Sequence, residues 1–287
     1  MCRWLAYFGA PILLDDLLYK PKHSLIDQSK HARMGVETLN GDGVGVGWYP
    51  DAPAGADFAR TPALFRSTGP AWSDVNLRDL ADHVRSPLFF AHIRASTGTA
   101  VQQTNCHPFR RGRWLWMHNG VIAGFRAIKR DLLLELDPGL VADIQGSTDS
   151  ELMFYLALSF GLEDDPRAAI ARMICRIEDT AEKHGVADCL QMTVATSDGE
   201  RIWVFRYSTE GRSRSLYFSS APETLSRMYP ENPMLAHLAP ETRIVVSEPL
   251  GDLDEAWHEV PEGSCGVIQP GEDELLSLGP QLAAFRG

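Results

Sequence analysis

The chain begins Met1-Cys2, and a cysteine at this position can supply both a nucleophile and a base. Cysteine is small enough at position two for the initiator methionine to be removed, which would leave Cys2 with a free α-amine. A thiol is a strong nucleophile, and the ordinary pKa of an α-amine lies close to neutral pH, so the amine can accept the thiol proton. The pair predicts attack by Cys2 on a carbonyl carbon. Because a cysteine can also stand at position two by chance, other motifs have to support this interpretation.

The second motif is AHIRASTG at residues 91–98, which closes an apolar run. Its arginine, Arg94, follows a predicted strand and precedes two hydroxyl side chains. Such an arginine can bind a carboxylate through two parallel hydrogen bonds. The same pattern is equally typical of a surface arginine in a turn.

The third motif is WLWMHNG at residues 114–120. Asn-Gly after a strand is a strong signal for a β-hairpin turn, and taken alone it favours that structure. The alternative is an oxyanion hole, in which the Asn119 side-chain amide and the Gly120 backbone N–H point at one developing negative charge.

The fourth motif is GSTDSE at residues 146–151, which precedes a long apolar stretch. It predicts a capping box, with Thr148 as the N-cap and Glu151 three residues later. Asp149 would complement the helix dipole, and it could also bind the ammonium group of a substrate.

Together these motifs describe a site for an α-amino acid that carries a side-chain amide. Arg94 would bind the α-carboxylate and Asp149 the α-ammonium group. Cys2 would attack the amide carbon, while Asn119 and Gly120 would stabilise the oxyanion.

The elements that must position these residues follow from the spacing of apolar residues. Strands are predicted at residues 3–9, 44–49, 88–93, 114–117, 190–196, 201–207, 216–219, 243–247 and 265–268. Helices are predicted at residues 76–85, from about 148 to 162, and from 166 to just before 185. Strands, then helices, then strands indicate sheets covered by helices, an α+β fold, rather than regular βαβ alternation.

Composition excludes several classes of protein. The net charge of −11 argues against a nucleic-acid partner, and no apolar run approaches the roughly 20 residues that span a bilayer. The five cysteines are odd in number and form no CxxC pair, which indicates neither a disulfide framework nor a zinc site and favours the cytoplasm. The apolar segment 4–14 is interrupted by Gly9 and Pro11 and lacks a cleavage motif, so we expect no signal peptide.

Two other functions are rejected on spacing. The glycines at residues 41–47 lack the third glycine of G-x-G-x-x-G, so they predict a strand that packs close to another backbone rather than a nucleotide site. A metal site would use His92, His107 and His118, but these have no H-E-x-x-H spacing and are more typical of hydrogen-bonded structural histidines. We therefore expect no metal and no organic cofactor.

The motifs also occur in the order found in class II glutamine amidotransferases. The similarity is carried by MCRW at residues 1–4, GDGVGVGW at 41–48, HIRAST at 92–97, NCHP at 105–108, HNG at 118–120 and STDSE at 147–151. Each is weak alone, but six in order make a strong signal over roughly residues 1–155. The sequence thus resembles this family of N-terminal-nucleophile hydrolases.

The resemblance implies a four-layer αββα sandwich of two antiparallel sheets, the N-terminal-nucleophile hydrolase fold, with residues 1–287 forming one domain. It agrees with the roles already given to the five site residues. It adds Thr97 as a substrate contact, and it gives Arg3 and His107 structural or supporting roles.

The resemblance also bears on the substrate. Arg94 is followed by Ala-Ser-Thr-Gly, where synthase-fused members typically show Trp-Ala-Thr-His, and the 287 residues carry no synthase or sugar-isomerase domain. Both facts favour a substrate other than free glutamine. HSLIDQS at 23–29 and NGDG at 40–43 are most similar to two stand-alone groups, the amidohydrolase of ergothioneine biosynthesis and the subunit that cleaves the γ-glutamyl bond of glutathione.

The predicted function is therefore hydrolysis of a γ-glutamyl amide through a γ-glutamyl thioester on Cys2, with the leaving group open. The alternative is a subunit of the same fold that is active only in a complex, so a protein partner or a homo-oligomer is possible.

Overall fold

A computed structural model of the chain describes residues 2–34, 38–51, 60–96, 98–222, 226, 239–251 and 254–286. Thirteen strands lie within these residues: β1 (Arg3–Leu13), β2 (Val44–Tyr49), β3 (Ala63–Ser67), β4 (Arg85–Ile93), β5 (Phe109–Arg111), β6 (Trp114–Ile122), β7 (Leu190–Ser197), β8 (Ile202–Ser208), β9 (Tyr217–Ser219), β10 (Arg243–Val246), β11 (Trp257–Glu259), β12 (Ser264–Ile268) and β13 (Glu274–Ser277).

The described strands form two sheets, in which every pair is antiparallel. The first sheet has the order β11-β9-β10-β1-β4-β2-β3, and the second has the order β13-β12-β8-β7-β6-β5. The N-terminal strand β1 is therefore central, between β10 and β4. Residues at its start are held on both sides by other strands.

Seven α-helices lie wholly within the same residues: α1 (Asp15–Leu18), α2 (Leu25–His31), α3 (Val75–His83), α4 (Phe125–Leu133), α5 (Asp149–Ser159), α6 (Pro166–Lys183) and α7 (Gly279–Phe285). None of the helices in the described part of the chain is both long and apolar enough to cross a bilayer.

The alternation of side chains along the strands produces four layers. On β1, Trp4 and Ala6 pack between the two sheets, whereas Leu5 and Tyr7 face the layer of α1, α2 and α3. Successive residues of a strand point to opposite faces, and here both faces are buried. On β6 the alternation continues, with Leu115 and Met117 between the sheets and Trp114 and Trp116 against α5 and α6. The predicted αββα sandwich of two antiparallel sheets is confirmed.

Strand β2 shows why its sequence alternates valine and glycine. A Cβ on Gly45 would collide with the backbone carbonyl of His107, and one on Gly47 would lie 2.8 Å from Pro108. The close approach predicted from the glycines is confirmed, and it fixes the segment that carries His107 against the first sheet.

Two predicted elements differ from the structure. The strand predicted to end at residue 117 continues to Ile122, because β7 pairs with it from Leu115 to Ile122. The Asn119-Gly120 pair therefore lies inside a strand, and the hairpin interpretation is wrong. The predicted capping box is half formed. Thr148 accepts from the Glu151 N–H, but the Glu151 carboxylate accepts from the N–H groups of Gln145 and Gly146 instead of the N-cap residue.

Candidate active site

Cys2 lies directly before the central strand β1, at the junction of the two sheets. Its Sγ is 3.4 Å from the backbone nitrogen of Ala95 and 3.5 Å from the carbonyl oxygen of the same residue. Burial raises the pKa of the Cys2 thiol, while the Ala95 backbone and the charges of Arg94 and Arg3 act in the opposite direction. The thiol is therefore protonated at neutral pH and needs a base to become a nucleophile.

Asn119 and Gly120 reach Cys2 from the second sheet. The buried Asn119 amide donates from Nδ2 to the carbonyl oxygen of Cys2 at 2.9 Å. Gly120 has no room for a side chain, because a Cβ there would collide with the Gln191 carbonyl on β7 and with the ring of His118. The strand pairing thus places Asn119 against Cys2, and Gly120 lines the same cavity as Cys2.

Arg94 follows the last residue of β4 and is 3% exposed. Its guanidinium donates to Thr99 Oγ1 at 2.7 Å, the Ala100 carbonyl at 3.1 Å, Ser96 Oγ at 3.3 Å and the Asp42 carbonyl at 3.4 Å. All four acceptors are neutral, and among the described residues no carboxylate lies within ion-pair distance of Arg94. A buried cation without a counterion is costly, so this position favours an anionic ligand.

Asp149 is the first residue of α5 and is half-buried. Its carboxylate accepts from the Ile122 N–H at 2.9 Å and from the Ser150 N–H at 2.8 Å, which ties the end of β6 to the start of the helix. No lysine or arginine in the described chain forms an ion pair with it. Its carboxylate therefore lies in the cavity lining without a described protein cation beside it, where a cationic group of a ligand can approach.

One cavity of about 560 Å³ brings these residues together. Its lining includes all the predicted site residues that the structure describes: Cys2, Arg94, Asn119, Gly120 and Asp149. Thr97, the other predicted contact, lies outside the described residues. The cavity thus combines a thiol, amide donors, a guanidinium and a carboxylate in one place.

Three buried histidines lie close to the cavity. The rings of His92 and His107 are tilted by 32° with their centroids 4.2 Å apart, and His118 Nδ1 is 2.7 Å from Ser150 Oγ. Burial lowers the pKa of all three, that of His92 to about 3, so they are neutral at pH 7. The expected hydrogen bonding is found only at Nδ1 of His118. In the described part of the chain, no hydrogen-bond partner lies at Nε2 of His118 or at either ring nitrogen of His92 and His107. Among the described residues, no group of three or more His, Cys, Asp or Glu residues has the arrangement of a metal site.

Sequence reasoning missed two parts of the site. Val121, Phe125 and Arg126 also line the cavity, and the last two open α4, a helix that was not predicted. Its hydrophobic positions Ile128 and Leu132 repeat at helical spacing, which could have revealed it. The second omission is Glu248, which lies beyond β10 and 2.8 Å from Nε of Arg3, the residue after Cys2. No local signal in the sequence marks that contact.

The comparisons with known proteins agree on one family. Residues 24–283 match the model of the class-II glutamine amidotransferases. Probable glutamine amidotransferase DUG3 of Saccharomyces cerevisiae is 37% identical over 297 residues, covering 94% of this chain and 82% of the yeast protein. The gamma-glutamyl-hercynylcysteine sulfoxide hydrolase of Mycolicibacterium smegmatis is 26% identical over 264 residues, covering 91% and 93% of the two chains.

A solved structure extends this similarity to the fold. It is that of a glutamine aminotransferase class-II domain protein from Silicibacter pomeroyi, which is 34% identical to this chain with a TM-score of 0.70. The match covers 96% of this chain and 99% of the other.

Proposed function

Because the chain belongs to the class II glutamine amidotransferases, we propose that it hydrolyses a γ-glutamyl amide bond with Cys2 as the nucleophile. The observation that carries this proposal is the shared cavity of Cys2, Arg94 and Asp149. In a γ-glutamyl compound the thiol would attack the amide carbon. The guanidinium would bind the α-carboxylate, and the carboxylate of Asp149 would bind the α-ammonium group.

The charges of the cavity support binding of the glutamyl group. Among the described residues Arg94 has neutral acceptors only, so a substrate carboxylate would supply its missing counterion. Asp149 would bind the ammonium group at the N-terminus of α5, where backbone N–H groups hold its carboxylate in place. Both residues hold the substrate, and the reaction itself takes place at Cys2.

The first half of the reaction forms a thioester. With Met1 removed, the α-amine of Cys2 takes the thiol proton, directly or through a water molecule, and the thiolate attacks the γ-carbonyl carbon. One N–H of the Asn119 amide holds the Cys2 carbonyl, so its second N–H remains for the oxyanion, together with the Gly120 N–H. The C–N bond then breaks, and the ammonium group of Cys2 protonates the departing amine.

The second half restores the enzyme. Water attacks the γ-glutamyl thioester, with the α-amine of Cys2 now free to accept its proton. The C–S bond breaks, the thiol regains a proton, and glutamate leaves. In both halves of the reaction the α-amine of Cys2 accepts and returns the protons.

The leaving amine is the open part of the proposal. Beyond the glutamyl-binding residues the cavity extends to Val121, Phe125 and Arg126, which gives room for an amine larger than ammonia. The M. smegmatis relative is named for a γ-glutamyl substrate of this kind. We propose that the leaving amine is a cysteine-type amine or its sulfoxide conjugate in preference to ammonia. We also propose that residues 1–287 act as one domain, and that the protein works in a reducing compartment such as the cytoplasm.

The experiment that tests this function is glutamate release by protein whose mass confirms loss of Met1. The substrates are glutamine, γ-glutamylcysteine, glutathione and a γ-glutamyl sulfoxide conjugate, with Cys2→Ala as the control. Release that depends on Cys2 supports the proposal and identifies the leaving group. Inactivity that a cell extract relieves would instead favour the alternative, a subunit that works only with a partner protein.

A further inference from the structure

A buried carboxylate, Glu248, connects three separate parts of the chain behind the nucleophile. Its Oε2 lies 2.8 Å from Arg3 Nε and accepts from the Met34 N–H at 3.0 Å. Its Oε1 lies 2.5 Å from His23 Nε2 and accepts from the Arg33 N–H at 2.8 Å. Burial raises the pKa of Glu248, but these hydrogen bonds and the Arg3 charge outweigh it and hold the pKa at about 2. The carboxylate is therefore ionised under all ordinary conditions.

Arg3 extends this connection to Cys2. While its Nε is bound to Glu248, its Nη1 donates to the Cys2 carbonyl oxygen at 3.0 Å, and its Nη2 donates to the Met34 carbonyl. The same Cys2 oxygen accepts from Asn119 Nδ2. The carbonyl of the nucleophile is thus held by one donor from each sheet, and Glu248 fixes one of those donors.

We propose that Glu248 is a positioning residue for catalysis, which sets the orientation of Cys2 through Arg3. This inference depends on the proposed function. After loss of Met1, the only covalent link from Cys2 to the chain is its own carbonyl carbon. Holding the carbonyl oxygen fixes the plane of the Cys2–Arg3 peptide bond. It thereby fixes the Cα of Cys2, from which both the α-amine and the thiol project toward the cavity.

The motif HSLIDQS at residues 23–29 supplies the outer part of this arrangement. His23 Nδ1 lies 2.9 Å from Asp27, and Gln28 Nε2 donates to the backbone carbonyls of His23 and Glu248 at 3.1 and 3.2 Å. The motif therefore fixes Glu248 and has no described contact with the cavity. Replacing Glu248 should therefore affect catalysis more than replacing Asp27. The contacts from Asp27 reach Cys2 only through three further side chains, those of His23, Glu248 and Arg3.

The test compares Glu248→Gln with Asp27→Asn, which makes the same change from carboxylate to amide at the far end of the network. In Glu248→Gln an amide NH₂ would face donors that now bind a carboxylate oxygen, so Arg3 would lose its fixed position. We expect kcat to fall by roughly 10- to 100-fold, with KM for the γ-glutamyl substrate changed less than about twofold, since small displacements of reacting groups cost that much. Asp27→Asn should change kcat by less than about threefold, in line with a partly exposed ion pair.

A second measurement does not need the substrate. The rate at which iodoacetamide alkylates Cys2, located by mass spectrometry, reports how well the α-amine activates the thiol. In Glu248→Gln this rate should fall, and its pH midpoint should rise relative to the wild type. If the wild type releases no glutamate, the proposed function fails, while the alkylation profiles still decide the role of Glu248.

Several results would overturn the inference. One is a folded Glu248→Gln protein whose kcat and Cys2 alkylation rate equal those of the wild type. Another is a loss of kcat in Asp27→Asn as large as that in Glu248→Gln. If Glu248→Gln does not fold, Arg3→Lys replaces it. Lysine keeps the charge but cannot bind Glu248 and the Cys2 carbonyl together, so kcat and alkylation should both fall at unchanged KM, and wild-type values would reject the proposal.

Discussion

The side-chain amide of Asn119 donates to the carbonyl of Cys2 at 2.9 Å, across 117 residues of sequence. One residue belongs to the second sheet and the other precedes the central strand of the first. The proposed oxyanion donor therefore also holds the proposed nucleophile, and the two sheets must pack correctly before either can act.

The first prediction concerns Cys2 itself. Cys2→Ala should abolish glutamate release and leave the melting temperature close to that of the wild type, because the residue is only partly buried and, in the described part of the chain, its sulfur hydrogen-bonds only to the backbone of Ala95. Glutamate release and a thermal melt on the same preparation measure both quantities. Turnover at the wild-type rate in this variant would end the proposed mechanism.

The second prediction concerns the oxyanion donor. Asn119→Asp keeps the size of the side chain but removes its N–H donors, and we expect kcat to fall by about 10²–10³. KM should change little, because Arg94 and Asp149 are untouched. Steady-state kinetics with a γ-glutamyl substrate provide the measurement, and an unchanged kcat would show that Asn119 does not stabilise the oxyanion.

The third prediction concerns the carboxylate site. Arg94→Ala should raise KM and lower kcat/KM by roughly 10- to 100-fold, since a hydrogen bond to a charged group contributes about 1.5–3 kcal/mol. The exposed Arg110, which does not line the cavity, gives a matched control, and Arg110→Ala should leave KM unchanged. Equal effects of the two substitutions would contradict the assignment of Arg94.

The fourth prediction concerns recognition of the α-ammonium group. The wild type should prefer a γ-glutamyl amide over the matching glutaryl amide, which lacks the α-amine, by about tenfold or more. Asp149→Asn should remove most of this preference by slowing the γ-glutamyl reaction alone. The ratio of kcat/KM for the two substrates is the measurement, and a preference that survives in Asp149→Asn would place ammonium binding elsewhere.

The fifth prediction concerns stability at low pH. The pKa of Glu248 lies near 2 in the folded protein, below its ordinary value of 4.5. A carboxylate with a lowered pKa stabilises the folded state above its unfolded pKa, and this contribution is lost as pH falls toward the folded value. The difference in urea midpoint between wild type and Glu248→Gln should thus be constant above about pH 5 and should shrink between about pH 4.5 and 2. A difference independent of pH across this window would contradict the ionised state of Glu248.

The local sequence determined the chemical groups and much of the scaffold. The cysteine at position two, the strand before Arg94 and the Thr148 cap before α5 all depend on neighbours within a few residues, so their types and spacing were sufficient to predict them. The motifs in their order also indicated the family and the αββα sandwich.

Tertiary structure decided what depends on distant partners. Asn119-Gly120 has the sequence of a turn, yet it continues a strand because β7, about 70 residues later, pairs with it and has room only for glycine at position 120. The contact between Arg3 and Glu248 spans 245 residues. Local periodicity carries no information on such pairs, since each is formed only when two sheets and their loops are packed together.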